Sequence, residues 1–580
     1  MKRIQQLKIK NFKAFQEEQI FDFRGKNVLV YGNNGSGKSS LFWALYTFLQ
    51  SSIKASDAEI EKYFKYFDEI DSTTHQSLLN VFMDQAVDSY IEMTYGVTGE
   101  NENTFETKII SNNNGISTRN NPEIQELTQS SDFINYKLLH NFYNASHKQE
   151  VNLWSVFERD IFPFITFEES TTPWIDKIKE LTLDVPRTPN NYKATGRRKT
   201  SYIDKVNNLN TSIITLLSDI ENSTNDFLKK YFFNDEDKIK IYLKFEKTFT
   251  YDKIKELLWE EDKDSIRHSL LQIKLMVEVY DEAVPKWREI HRVQSFLNEA
   301  QLTRIAISIR VGALRARVQG TDFKVLVLDD MLNSLDMANR VDVMRIILNK
   351  DNHQGLKYFD DFQKIILTHD KGFYELLKRQ TNDNDWIYYK FDKDENLNNQ
   401  PKVSRGLTKI QEARILLDSG EFDACGIKLR KEAEDILSNY LNPEMKLLET
   451  EFKPLSKKIK LAYESIVGKE LQNFKKLLSN KNLTIDEIKK IEQDIDSISD
   501  DELSLPKKGQ LKTIKKRLFT MLIELYSVSH TKEKHLEDLK EILDRVLNST
   551  AHHNDNNLYR NELKEAIEHM VELKTVLESN

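Results

Sequence analysis

Cysteine is almost missing from this chain: Cys425 is the only one in 580 residues. A lone thiol excludes an intramolecular disulfide and any zinc site built from several cysteines of one chain. Long apolar runs are missing too. No stretch reaches the ~18 apolar residues of a membrane span. The opening Met1–Phe12 scatters Lys2, Arg3, Lys8 and Lys10 where a secretory signal needs an unbroken apolar core. Nor is there an excess of positive charge, since the net charge is −8 and the pI near 6.0. That balance excludes a uniformly basic nucleic-acid coat and leaves room for a local basic patch. Low-complexity tracts and an internal repeat period are also absent. These absences lead us to expect a protein of the reducing cytoplasm with no membrane partner.

What is present is a core. With 39% hydrophobic and 10% aromatic residues, the chain can fill two or three domains. Leu7, Ile9, Phe12 and Phe15 open a strand-rich stretch, and Val28–Tyr31 is a short apolar run ending in glycine and asparagine. Leu41, Ala44, Leu45 and Leu49 then recur on one helical face. Residues 120–290 carry mixed, mostly helical patterns. Strand signals return at Ile239–Phe245, Val325–Leu328 and Ile365–Leu367, and after about residue 405 only amphipathic helices follow.

Between the strand and the helix near the N-terminus lies Gly32, Asn33, Asn34, Gly35, Ser36, Gly37, Lys38, Ser39, which fits G-x-x-x-x-G-K-[ST]. Glycines let successive backbone N–H groups curl around phosphates without Cβ clashes, and the helix N-terminus adds its dipole. ATP is therefore the expected ligand, held by Gly32 to Ser40, with Lys38 neutralising phosphate charge and Ser39 binding Mg²⁺. Val325–Asp330 supplies the acidic half: Asp329 for the metal, and Asp330 to orient the attacking water as general base.

The order of further motifs resembles the ABC-type ATPase heads of the SMC and RecF families. Asn333–Asp336 is similar to the D-loop that crosses their dimer interface. Ile365–Asp370 is similar to their switch-histidine strand, where His369 would contact the γ-phosphate. Phe296–Gln301 sits where the signature motif belongs but departs from Leu-Ser-Gly-Gly-Gln: Asn298 replaces serine, and Glu299 and Ala300 replace glycines. The resemblance assigns Asn298 and Asp336 to the nucleotide across the dimer, and the altered signature implies slow or conditional hydrolysis. Gln149 is the candidate for the Q-loop.

About 290 residues separate Lys38 from Asp330. The resemblance thus implies an α/β fold: an ABC/SMC-like P-loop head split by a helical insertion and followed by an all-α domain. The expected divisions are 1–120 for the N-lobe, 121–290 for the insertion, 291–400 for the C-lobe and 405–580 for the tail. Lacking sustained heptads and a Cys-x-x-Cys apex, the roughly 170-residue insertion is expected to be a short helical arm. Its basic stretch Arg197–Lys199 is either solvated surface or a nucleic-acid contact. The family implies a homodimer, or a higher even oligomer, closed on ATP.

In the tail, Leu407, Ile410, Ala413 and Leu417 share one helical face. Ser419 and Gly420 make a turn, and Phe422, Cys425, Leu429, Ala433, Ile436 and Tyr440 form a second face. Ala413–Glu434 resembles the first helices of HEPN domains, the helical RNase fold, and a TPR hairpin without its repeats. Arg545 with His552 is similar to the HEPN arginine and histidine. Arg430 and Glu434 with His552 or His553 are similar to the set in ABC-fused anticodon nucleases. In such metal-independent cleavage a histidine moves the proton and an arginine stabilises phosphorane charge. An arginine–histidine spacing also arises by chance, and Arg430–Glu434 also fits an ordinary i,i+4 ion pair. Two functions follow as expectations: an ATPase controlling an RNase, with tRNA as a candidate substrate, in bacterial antiphage defence or as a toxin; or an ATPase sensor or scaffold with a non-catalytic tail that binds DNA and recruits a separate nuclease, a partner effector, in defence or DNA repair.

Overall fold

The computed structural model describes residues 1–135, 151–251, 270–315, 321–330, 337–350, 359–394, 400–442, 453–466, 531–547 and 560–578, apart from short breaks within the first two ranges and at 383. The chain forms two compact units, Met1–Gly406 and Leu407–Asn580.

In the first unit, β1 (Arg3–Lys10), β2 (Gln19–Asp22), β4 (Tyr90–Val97) and β5 (Thr104–Ser111) make an antiparallel sheet in the order β2-β1-β4-β5. A second sheet has six strands. These are β3 (Asn27–Gly32), β6 (Asp132–Asn135), β10 (Lys324–Asp329), β11 (Phe362–Thr368), β12 (Trp386–Asp394) and β13 (Gln400–Arg405), in the order β13-β12-β3-β11-β10-β6. All neighbours in it run parallel except β12 and β13. Parallel strands covered on both faces read as continuous apolar runs. Val325, Leu326, Val327, Leu328, Ile365, Ile366 and Leu367 are accordingly all buried. The core between the two sheets includes the helix α1 (Lys38–Ser51), whose Leu41, Ala44, Leu45 and Leu49 are buried.

The strand β6 lies beyond the expected N-lobe boundary at 120, and β13 beyond the C-lobe boundary at 400. The head therefore reaches Asn135 on one side and Arg405 on the other. The insertion combines helices, which hold most of its described residues, with a sheet. Its 31-residue helix Arg197–Phe227 is joined by an antiparallel sheet of β7 (Ile239–Lys247), β8 (Gln272–Asp281) and β9 (Lys286–Glu289). The helix buries Val206, Leu209, Ile213, Leu217 and Ile220 on one stripe. Its polar residues satisfy the open edge of β7. Asn225 exchanges two hydrogen bonds with the Ile241 backbone (2.8 and 2.9 Å), and Glu221 accepts from Leu243 N (2.9 Å). The same helix crosses Glu299–Arg315 at Gly312, where an added Cβ would lie 2.5 Å from Thr224 Oγ1 and 2.7 Å from Ile220 O.

The second unit is helical throughout its described residues. Lys409–Ser419 opens with a Thr408/Gln411 capping box and closes on Gly420 in the left-handed region (φ 81°). Phe422–Leu441, residues 455–466 and 531–542, and Arg560–Glu578 complete a core around Cys425, Leu429, Ala433, Ile436, Leu563, Ile567 and Met570. These are the faces expected from the spacing. No described helix is long and apolar enough to cross a membrane.

Candidate functional site

The carboxyl ends of three adjacent parallel strands, β3, β11 and β10, converge, the place where open α/β sheets bind ligands. From β3 the chain enters the loop Gly32–Ser39 and then α1, whose N-cap is Gly37 (φ 98°) with no side-chain cap. The N–H groups of Lys38 and Ser39 have no preceding helical carbonyl to donate to, which suits them to an anion, whereas Ser40 N already donates to Gly37 O (3.0 Å). A Cβ at Gly32 would lie 2.4 Å from Ser36 Oγ and 2.8 Å from Phe391 Cβ, so only glycine fits between the loop and β12. At the exposed apex, Asn33 Oδ1 accepts from Tyr31 OH (3.2 Å), and Asn34 and Gly35 are exposed.

Lys38 is buried, and its Nζ donates to Gly32 O (2.6 Å) and Asn33 O (3.2 Å) and lies 3.8 Å from Asp330 Oδ2. Ser39 Oγ donates to Asp329 Oδ2 (2.9 Å). Asp330 turns out of β10 with φ 48°, a conformation that aspartate tolerates better than most residues. Its N–H donates to Leu367 O (3.0 Å), and its Oδ1 accepts from His369 N (2.9 Å) and meets His369 Nδ1 (2.9 Å). Lys38, Asp330 and His369 therefore form one chain of contacts across β3, β10 and β11. Asp370 caps the helix Lys371–Arg379 by accepting from Phe373 N (3.0 Å) and pairs with Arg340 (2.7 Å).

Burial is the largest influence on both central charges. It pushes the Asp329 carboxyl up to about 6, helped by the charge of Asp330 and opposed by the Ser39 hydrogen bond. It lowers the Lys38 ammonium, opposed by Asp330 and Asp329. A hard cation at Asp329 and an anion at Lys38 would each restore the charged form. Asp329 Oδ1 and Ser36 Oγ are also buried with no hydrogen-bond partner among the described residues. A hydroxyl and a carboxylate are oxygen donors suited to Mg²⁺. The residues present thus fit a magnesium nucleotide, with Ser39 and Asp329 to hold the ion.

Other expected residues fare differently. Ser40 is engaged elsewhere: its buried hydroxyl accepts from Ala14 N (3.2 Å), tying α1 to the turn after β1. Asn298 is exposed and caps Glu299–Arg315, accepting from Gln301 N (2.8 Å) while Gln301 Oε1 accepts from Asn298 N (3.1 Å). Arg430 lies 3.5 Å from Glu434 and donates to Leu547 O (3.2 Å), and Arg545 pairs with Glu562 (2.6 Å). Gln149, Asn333–Asp336, His552 and His553 lie outside the described residues. A buried cluster escaped the sequence reading: Arg310 pairs with Asp132 on β6 and donates to Asp160 O. Only the chance of an arginine on an apolar helix hinted at it.

A phosphate loop entering a helix, with an acidic strand end beside it in a parallel sheet, defines a P-loop ATPase head. A family model described as an AAA domain matches residues 6–299, slightly more than half of the chain, and the chain belongs to that family. No curated protein matches it. Among solved structures, it is similar to the RecF–ATP complex of the RecFOR pathway, at 15% identity over 70% of this chain and 98% of that one, with a TM-score of 0.38. It is also similar to the Smc head of Pyrococcus furiosus bound to the C-terminal domain of ScpA (14% identity, 73% and 100% coverage, TM-score 0.37). The SMC head of Thermotoga maritima is a third such structure (12% identity, 70% and 99%, TM-score 0.32).

Proposed function

We propose that the head is an ATP-hydrolysing switch whose chemistry rests on Asp330. The contact chain Lys38–Asp330–His369 carries this reading, because it places one carboxylate between the phosphate loop and the end of β11. Lys38, Ser36 and the loop N–H groups bind and neutralise phosphate oxygens. Bound Mg²⁺ supplies Lewis-acid polarisation of those oxygens. Asp330 accepts the proton of the attacking water, and His369 holds that carboxylate in place. Asn298, exposed at the start of Glu299–Arg315, is placed to meet the nucleotide of a second head once its capping bond to Gln301 is exchanged, so ATP closes a homodimer or a higher even assembly. A mutant that binds ATP but cannot hydrolyse it tests this. Asp330→Asn should dimerise on adding ATP in sedimentation velocity and Asn298→Arg should not; monomers of Asp330→Asn at saturating ATP would refute the closure.

The switch, in this reading, controls the helical unit acting on RNA, with tRNA the candidate substrate and defence against phage the setting. What supports it is that Arg430 and Glu434 form a pair whose arginine also donates to the Leu547 carbonyl, just before the segment carrying His552 and His553. Total RNA incubated with wild type and His552→Ala/His553→Ala protein, with and without ATP, decides it. Uncut tRNA under every condition would leave the alternative, a DNA-binding sensor or scaffold that recruits a separate nuclease in defence or DNA repair.

A further inference from the structure

The helical unit contains a cluster that neither the phosphate loop nor the proposed RNA chemistry uses. His535 and Asp538 stand one turn apart on the helix 531–542, and His569 reaches them from Arg560–Glu578. One ligand atom from each lies within 4.8 Å of the other two. The imidazole rings are 5.4 Å apart.

The hydrogen bonding is what a metal site requires. His569 Nε2 lies 3.1 Å from the His535 carbonyl oxygen. A carbonyl only accepts, so Nε2 carries the proton and Nδ1 keeps its lone pair. Metal-binding histidines are fixed in this way, one ring nitrogen donating to a carbonyl while the other faces the ion. His535 Nδ1 is buried with no hydrogen-bond partner among the described residues. An orphaned buried nitrogen is destabilising unless something satisfies it.

We propose that His535, Asp538 and His569 bind one divalent transition-metal ion of the Zn²⁺ class. Two imidazoles and one carboxylate select zinc, cobalt or nickel over magnesium and calcium, which prefer all-oxygen shells. Three protein ligands leave a fourth position for water or an outside donor. The ion pins the last helix to the helix 531–542, so its first consequence is stability of the helical unit.

The full-length protein, stripped with a chelator and free of nucleotide and affinity tags, is titrated with Zn²⁺ against a chromophoric chelator. Wild type should bind one equivalent more than His535→Gln/His569→Gln. Loss of a supporting partner alone weakens metal sites ~10–100-fold, so loss of ligands should cost at least ~100-fold. Zn²⁺ should raise the melting temperature of wild type and not of the variant. Co²⁺ added to wild type should give the visible absorption band of a four-coordinate site, and this reading needs no variant to fold. Equal stoichiometry and affinity in wild type and variant, or no such Co²⁺ band, would overturn the site.

Discussion

The phosphate-loop end of the head and the surface of the helical unit both carry closely spaced charges, but they handle them in opposite ways. At the strand ends, Lys38, Asp329 and Asp330 are withdrawn from solvent, and two of them leave polar capacity unused or shifted by burial. On the helices, Arg430, Glu434, Arg545 and Glu562 meet partners in partly solvated pairs. A charge held against its preference is poised for a ligand; a charge paired on the surface is already satisfied. The difference teaches where chemistry is stored in this molecule, and substitutions should grade accordingly.

The largest effect should come from Lys38→Ala, which removes the one buried cation of the loop. ATP affinity by calorimetry should fall more than ~100-fold, about 3 kcal/mol. Next, Asp330→Asn keeps shape and loses the proton acceptor: turnover should drop ~10²–10³-fold with ATP affinity changed only a few-fold. Should both mutants hydrolyse ATP normally, the contrast between poised and satisfied charge fails. Third, Gly37→Ala places a side chain at φ 98° and within 2.4 Å of Pro401 Cγ. Denaturant melts should show a loss of about 2–4 kcal/mol.

A smaller effect, with a pH signature, is expected at Asp160. Burial pushes its carboxyl up to about 6 despite Arg310 and Arg159. The folded pKa then exceeds the unfolded value, so the folded protein binds more protons between pH ~4 and ~6. Wild-type stability falls as pH rises through that window. Asp160→Asn should therefore be more stable than wild type at pH 7 by about 1–2 kcal/mol, an advantage that disappears near pH 4. The smallest effect belongs to Glu434→Gln: a partly exposed pair contributes under ~0.5 kcal/mol, so the melting temperature should hardly move. RNA cleavage, which the proposed function rests on this pair, should fall in the same variant although its stability holds; unchanged tRNA cleavage by Glu434→Gln would remove the pair from the proposed site.

Much of the head was legible because its strands are continuous apolar runs ending in the residues that matter. Val28–Tyr31 before Gly32, Val325–Leu328 before Asp329, and Ile365–Leu367 before His369 all read directly. The four-residue β6, Asp-Phe-Ile-Asn, was not legible, since it earns its place only by pairing with β10 far along the chain. The alternation of Ile273, Leu275 and Val277 in β8 was present but sat among helical patterns. The His535–Asp538–His569 cluster could not be read at all. Two of its members lie one turn apart, but the third comes from a different helix, and only packing brings them together.

The position of β3 has a consequence for how the protein is made. Asn27, at the start of β3, accepts through its side-chain oxygen from the N–H of Lys364, a residue 337 positions later. Both sheet neighbours of β3 are supplied by residues 362–394. At ~5–20 residues per second, a ribosome needs roughly 15–70 s to deliver them. For that time the strand that precedes the phosphate loop lacks both of its native neighbours, so nascent chains are expected to aggregate more readily than the folded protein. Such sequence-distant parallel pairing also predicts slow refolding, so nucleotide-binding competence should be the last property the chain acquires.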